Sequence, residues 1–295
     1  MSIRFLGASV QGASHKRSGL PCQDNFAIRD HNFQYAKATP RNVFYRGMGQ
    51  DVWLLAVADG HGSSSCPYSE NGSRLAVNTF CDVMAEFCFR YQDDMEALYH
   101  QLKRETEVIH FMQALDIEWK ARVLRDYNTN KKKQPSMEEL EEEERKPAVY
   151  KLYGTTLLGI VITDGFVFSY QLGDGDINCV DRQNVQPLIQ TEKILGVETH
   201  SMAKIGAWKK AETSILRFDP RIERPYMYMM STDGMINSFV SEEEFHKNCK
   251  GYLELLEKHG LDAVRDKLPQ WLAQTSEEGC GDDITVVMAY VEKNS

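Results

Sequence analysis

Six acids and one histidine stand where they could do chemistry. Asp59 lies in Asp59-Gly60-His61-Gly62, directly after the apolar run Trp53–Ala58. Asp174 and Asp233 also follow apolar segments, in Gly173-Asp174-Gly175 and Ser231-Thr232-Asp233-Gly234. Asp282 and Asp283 come just before the apolar run Ile284–Val291, and Asp24 closes the polar stretch 14–24. Aspartate offers hard oxygen to a divalent cation, glycine lets a backbone carbonyl approach one, and histidine titrates near neutral pH. A lone Asp-Gly is ordinarily a turn. Asp164-Gly165, between two apolar runs, is read as a hairpin turn and no more.

What distinguishes the other acids is recurrence at strand ends. If those ends share one edge of a sheet system, five or six carboxylates meet in one cleft. Clustered carboxylates disfavour their own charged forms unless cations sit among them. All-oxygen ligands suit Mg²⁺ or Mn²⁺ rather than zinc or copper. Two such ions about 4 Å apart can lower the pKa of a shared water and clamp a phosphoryl group for in-line attack. His61, beside the cluster, is placed to protonate the departing oxygen.

The elements that must position these residues follow from periodicity. Ile3–Val10, residues 26–28 and Trp53–Ala58 read as strands, the last continuously apolar as in a strand buried on both faces. Residues 14–24 read as a polar loop and 30–50 as an irregular connection. Helical spacing predicts a helix from Pro67 onward, through Leu75, Phe80, Met84 and Phe87, and a second over 93–126. Residues 128–147 hold Lys131 to Lys133 and a run of glutamates, read as a solvated, charged insertion within a single domain spanning 1–295. Residues 154–163 and 166–172 form a hairpin, 186–211 an irregular flap, and 215–218 and 226–230 further strands. Helices over 241–249 and 261–276 precede the final strand. The pattern predicts an α+β chain, an antiparallel sheet system with helices packed outside.

Bulk properties narrow the function. The chain has 295 residues, 42% hydrophobic and 26% charged, with a net charge of −9. That balance argues against a nucleic-acid partner, which usually needs a basic footprint. No stretch is apolar enough to span a membrane and no signal peptide is evident, so a cytoplasmic location is expected. The seven cysteines are scattered and never spaced C-x-x-C. They read as reduced thiols, with Cys22, Cys66 and Cys280 as packing residues rather than nucleophiles.

The ordered set Gln23-Asp24, Val57-Ala-Asp-Gly-His-Gly62, Gly154-Thr-Thr156, Leu172-Gly-Asp174, Ser231-Thr-Asp-Gly234 and Gly281-Asp-Asp-Ile-Thr285 resembles the metal-dependent serine/threonine protein phosphatases of type 2C (PPM). The resemblance spans nearly the whole chain. It implies a central antiparallel β-sandwich flanked by helices on both sides, four layers in the order αββα, with two Mn²⁺ or Mg²⁺ ions and a third, weaker site. By motif match, Asp59 bridges both ions, the Gly60 carbonyl touches one, and Asp233 and Asp282 ligate the other. Asp24 holds metal-bound waters, Asp174 serves the third ion, His61 is the general acid and Asp283 is a supporting residue. The family usually has an arginine for substrate phosphate five residues before the first motif's aspartate; here that position is Gly19, leaving Arg17, Lys16 or His15 for the role. The family's acid before Asp24 is Gln23 here. The implied reaction is hydrolysis of phosphoserine and phosphothreonine in proteins by water activated between the ions, opposite a cognate kinase. Two other classes stay open: a non-catalytic phosphopeptide-binding module, and another two-metal phosphoesterase such as a nuclease.

Overall fold

The computed structural model describes residues 3–30, 34–38, 43–47, 52–129, 137, 139–190, 199–219, 221–222 and 225–292. Twelve strands are described: β1 (Ile3–Val10), β2 (Asn25–Arg29), β3 (Gln34–Ala38), β4 (Val43–Gly47), β5 (Trp53–Ala58), β6 (Leu157–Ile162), β7 (Phe166–Leu172), β8 (Asp176–Val180), β9 (Val185–Pro187), β10 (Glu212–Arg217), β11 (Tyr226–Ser231) and β12 (Ile284–Val291). One sheet has the order β1-β12-β11-β8-β9, the second β10-β7-β6-β5-β2, and β3-β4 form a separate ribbon. Every pairing within these sheets is antiparallel.

The continuous apolar runs have a simple cause. Side chains alternate across a strand, and here both faces are covered. Trp53, Leu55 and Val57 of β5 meet Val287, Ala289 and Val291 of β12 in the layer between the two sheets. Leu54, Ala56 and Ala58 turn the other way, into a core shared with the helices Ser69–Phe89 and Glu105–Thr129. On the far side, Met227, Met229, Val286 and Met288 pack against Glu242–His259 and Leu261–Glu278. The architecture is therefore α+β, in the expected αββα layering.

Local signals explain several boundaries. Ser241 accepts a hydrogen bond from the Glu244 backbone N–H, the sequence Ser-x-x-Glu of a capping box, and Gly260 ends that helix at φ 77°. Asp94 caps Met95–Leu102 by accepting from Ala97 N–H. The single helix expected over 93–126 is broken at Lys103-Arg104 into Met95–Leu102 and Glu105–Thr129, where Lys103 N–H bonds back to the Tyr99 carbonyl and Arg104 N–H to that of Gln101. The polar stretch 14–24, expected as loop, starts within a short helix, Ala13–Ser18. Within 30–50, expected to be irregular, β3 and β4 pair as a ribbon. Of the charged stretch 128–147, residues 130–136 and 138 lie outside the described residues, and from Glu142 the chain is a helix, Glu142–Lys151, with Lys146 paired to Glu142 at 2.7 Å. Of the expected flap 186–211, residues 191–198 lie outside the description, while Ala207–Lys210 form a 3₁₀ turn.

Candidate active site

Strand register gathers the acids. Asn25 pairs with Ala58, so Asp24 at the start of β2 stands beside Asp59 at the end of β5. Leu157 pairs with Leu172, which brings Thr156 and Gly173-Asp174 to the same end of that sheet. In the facing sheet Ser231 pairs with both Val286 and Asp176, so Asp233 leaves β11 close to where Asp282-Asp283 enter β12. The electrostatic neighbours of Asp59 are accordingly Asp24, Asp233, Asp282 and Asp174. Among the described residues no three such side chains form a ready-made ligand shell; as placed, the carboxyls lean on one another.

The Gly154-Thr-Thr motif fixes the backbone that carries Asp59. Asp59 N–H donates to Thr156 Oγ1 at 2.9 Å, and its carbonyl accepts from Thr156 N–H and Thr155 Oγ1, each at 2.8 Å. His61 N–H donates to the Gly154 carbonyl at 3.0 Å. Gly60 is wedged: a Cβ there would sit 2.6 Å from the Gln23 carbonyl oxygen and 2.8 Å from that of Ser69. The glycine after Asp59 thus also serves close chain packing, a reason additional to carbonyl access. Gly234 lies equally tight on Asp283, whose carbonyl oxygen would be 2.1 Å from an added Cβ.

Asp283 is held by the Gly12 and Gln23 backbone N–H groups, both at 2.6 Å, and donates its own N–H to Asp282 Oδ1 at 2.8 Å. His15 faces this pair: Nδ1 lies 2.9 Å from Asp283 Oδ1, without hydrogen-bond alignment, and Nε2 3.9 Å from Asp282 Oδ1. Lys16 and Arg17 instead line a groove with Gln270, Ala273, Gln274 and Glu277. Three partners were not singled out from sequence. Thr232 Oγ1 donates to Asp24 Oδ2 at 2.7 Å, Asn237 Nδ2 to Asp233 Oδ2 at 3.0 Å, and Thr199 Oγ1 to Asp174 Oδ2 at 2.5 Å. Asn237 follows Asp233 by four positions, spacing that would have pointed to it; Thr199 and Thr232 are 25 and 208 residues from the acids they hold and give no such signal.

Burial and acidic neighbours leave Asp24, Asp59 and Asp233 reluctant to ionise. Burial, opposed by the Thr232 hydrogen bond and reinforced by Asp283, pushes Asp24 from its ordinary 3.8 up to about 8. Burial, followed by Asp174 and Asp282, pushes Asp233 up to about 6. Asp59 is raised well above its usual range by burial and then by its four acidic neighbours. Asp24 Oδ1 and Asp174 Oδ1 are buried without a hydrogen-bond partner. Orphaned carboxylate oxygens in a repelling, all-oxygen cluster are what a hard divalent cation satisfies, so these residues fit such an ion.

A pH dependence follows. With folded pKa values above the unfolded one, the folded chain binds more protons than the unfolded chain between about pH 4 and pH 8, so metal-free stability is greatest at the acid end of that window and declines as pH rises. Melting in EDTA should give a falling Tm from pH 5 to pH 8, and Mn²⁺ should restore most at pH 8, where ligand protons compete least. A metal-free Tm that rises over this range would contradict the electrostatics.

A β-sandwich with a buried, cation-seeking acid cluster at one end defines a metal-dependent hydrolase. The model of the protein phosphatase 2C family matches residues 42–273, and the chain belongs to that family. It is a protein serine/threonine phosphatase, acting by metal-dependent hydrolysis. The match includes Asp59, Asp174 and Asp233, while Asp24, Asp282 and Asp283 lie beyond its ends. No curated protein sequence matches the chain. Among solved structures, the serine/threonine phosphatase Stp1 from Staphylococcus aureus is similar at 13% identity, covering 99% of this chain and 96% of that one, with a TM-score of 0.58. The S. agalactiae serine/threonine phosphatase is similar at 14% identity, covering 99% and 100%, with a TM-score of 0.57. At such identities these likenesses speak for the fold.

Proposed function

We propose that the acid cluster holds two Mn²⁺ or Mg²⁺ ions, with Asp59 between them, the Gly60 carbonyl on one, and Asp233 and Asp282 on the other. Asp24 is assigned to orient bound water, Asp174 to a third, weaker ion, and Asp283 to support Asp282. Bound ions would supply Lewis acidity: a water of lowered pKa and a clamp on the phosphoryl oxygens. The observation that carries this reading is the burial of Asp59, Asp24 and Asp233, each raised first by desolvation and then by acidic neighbours: Asp59 by Asp24, Asp233, Asp282 and Asp174, Asp24 by Asp283, and Asp233 by Asp174 and Asp282. Such a group is stable at neutral pH only with protons or cations in its midst.

The chain's own residues do the rest. The Thr155–Thr156 clamp holds Asp59 rigidly at the mouth of the sandwich. His61, anchored through its N–H to Gly154 and partly exposed, is assigned to protonate the seryl or threonyl oxygen as it departs. His15, facing Asp282 and Asp283, supports a phosphate-contacting role better than Lys16 or Arg17, whose side chains line the groove beside the Leu261–Glu278 helix. We assign the whole chain to one catalytic unit acting in the cytoplasm on phosphoproteins made by a partner kinase; no helix among the described residues is long and apolar enough to cross a membrane.

Leaving-group chemistry tests the acid. An alkoxide needs a proton to leave, whereas p-nitrophenolate does not. His61→Ala should lower kcat on phosphopeptides by roughly 10²-fold or more, the ordinary worth of a general acid, with a far smaller loss on p-nitrophenyl phosphate. Equal losses on both would remove His61 from that role. For the centre itself, chelator-stripped enzyme should be inert and regain turnover as Mn²⁺ is titrated back; turnover without metal would refute the proposal.

A further inference from the structure

The segment 199–202 touches one acid, Asp174, directly and reaches a second, Asp59, through Thr155. At one end Thr199 Oγ1 donates to Asp174 Oδ2 at 2.5 Å, while Asp174 Oδ1 is buried and has no partner. At the other end Met202 N–H and Ser201 Oγ both donate to the Thr155 carbonyl, at 2.9 and 3.4 Å. Thr155 in turn donates its hydroxyl to the Asp59 carbonyl. Between the two ends the His200 carbonyl runs past Gly173, 3.6 Å from where a Cβ would stand. Gly173 has φ 121° and would press an added Cβ to within 2.6 Å of Thr156, so the turn bearing Asp174 is packed on the same clamp.

From this geometry we infer that Thr199 is a positioning residue for Asp174, fixing one carboxyl oxygen so that the other is presented to a divalent cation, and that 199–202 straps this site to the backbone of Asp59. An aspartate side chain has two rotatable bonds, and a carboxyl among like charges would otherwise swing outward to water. A hydroxyl donor on Oδ2 opposes that swing and leaves the acceptor capacity of Oδ1 for a ligand. The inference rests on the reading of Asp174 as a cation ligand.

Calorimetric titration of the full chain with Mn²⁺ alone tests it, without reliance on turnover. Asp174→Asn should delete one class of Mn²⁺ binding. Thr199→Val should weaken that same class by about 10- to 100-fold, the usual cost of removing a partner that orients a ligand, and Thr199→Ser should restore it. Wild-type affinity in Thr199→Val, with the site lost in Asp174→Asn, overturns the positioning role while sparing Asp174. An isotherm unchanged by Asp174→Asn overturns the ligand reading and with it this one. Should Thr199→Val fail to fold, Thr199→Ser still decides: a weakened site there, with the hydroxyl kept, counts against the inference.

Discussion

Asp59→Asn should abolish Mn²⁺-dependent hydrolysis of p-nitrophenyl phosphate, and Asp233→Asn should do nearly the same. The loss should run well beyond the roughly 10- to 100-fold that removal of an outer partner costs, because on the proposed assignment each variant takes away an anionic ligand rather than its support. The same substitutions should not harm the metal-free fold. Asp59 is surrounded by Asp24, Asp233, Asp282 and Asp174, so a neutral amide relieves repulsion that grows as pH rises. In EDTA at pH 8, Asp59→Asn should melt at or above the wild-type temperature, and added Mn²⁺ should raise its Tm much less than that of wild type. Asp164→Asn is the control: it lies in the Asp-Gly turn between β6 and β7 and should leave kcat/KM within about twofold, as surface changes away from special features do. Full activity in Asp59→Asn would sink the proposed centre.

The second large effect is on folding. Gly72, in the helix Ser69–Phe89, lies against the turn that leads into Gly154-Thr-Thr; a Cβ there would be 1.9 Å from the Tyr153 carbonyl oxygen. Trp119 Nε1 donates to the Gly72 carbonyl at 3.1 Å, so a second helix is pinned to the same point. Gly72→Ala cannot be absorbed by a rotamer change, because the obstacle is backbone. The helix and the Tyr153 turn must separate, at a cost of at least about 3 kcal/mol, the upper part of the overpacking range. That corresponds to a Tm fall of roughly 6–12 °C. Since the displaced turn carries the clamp on Asp59, Mn²⁺ affinity should fall as well. An unchanged melting temperature would show that the close approach is not enforced.

Much of the site was legible in the chain because its signals are local. A buried strand needs a continuous apolar run, and the residue that ends such a run at a sheet edge must be polar; Asp59, Asp174 and Asp233 are readable on those grounds. The helices around Phe80 and Leu268 follow from spacing alone. Less local features were not legible. The helix Ala13–Ser18 is only six residues long and its polar sequence resembles loop, yet it turns His15 toward Asp282 and Asp283 while Lys16 and Arg17 line the groove beside the Leu261–Glu278 helix. The division of the long helical segment falls at Lys103-Arg104, where neither a proline nor a glycine marks it.

By itself, then, the sequence determined the long strands and helices, the six acids and the preference for a hard cation, since each depends on residue chemistry and short-range periodicity. Tertiary structure alone decided which acids touch, how far burial and repulsion raise Asp24, Asp59 and Asp233, and that Thr199 holds Asp174, Thr232 holds Asp24 and Thr155 holds the Asp59 carbonyl. The physical reason is range. Coulomb repulsion, desolvation and a hydroxyl's single directed hydrogen bond depend on ångström distances between segments as far as 271 residues apart, which cross-strand register sets and no local pattern encodes.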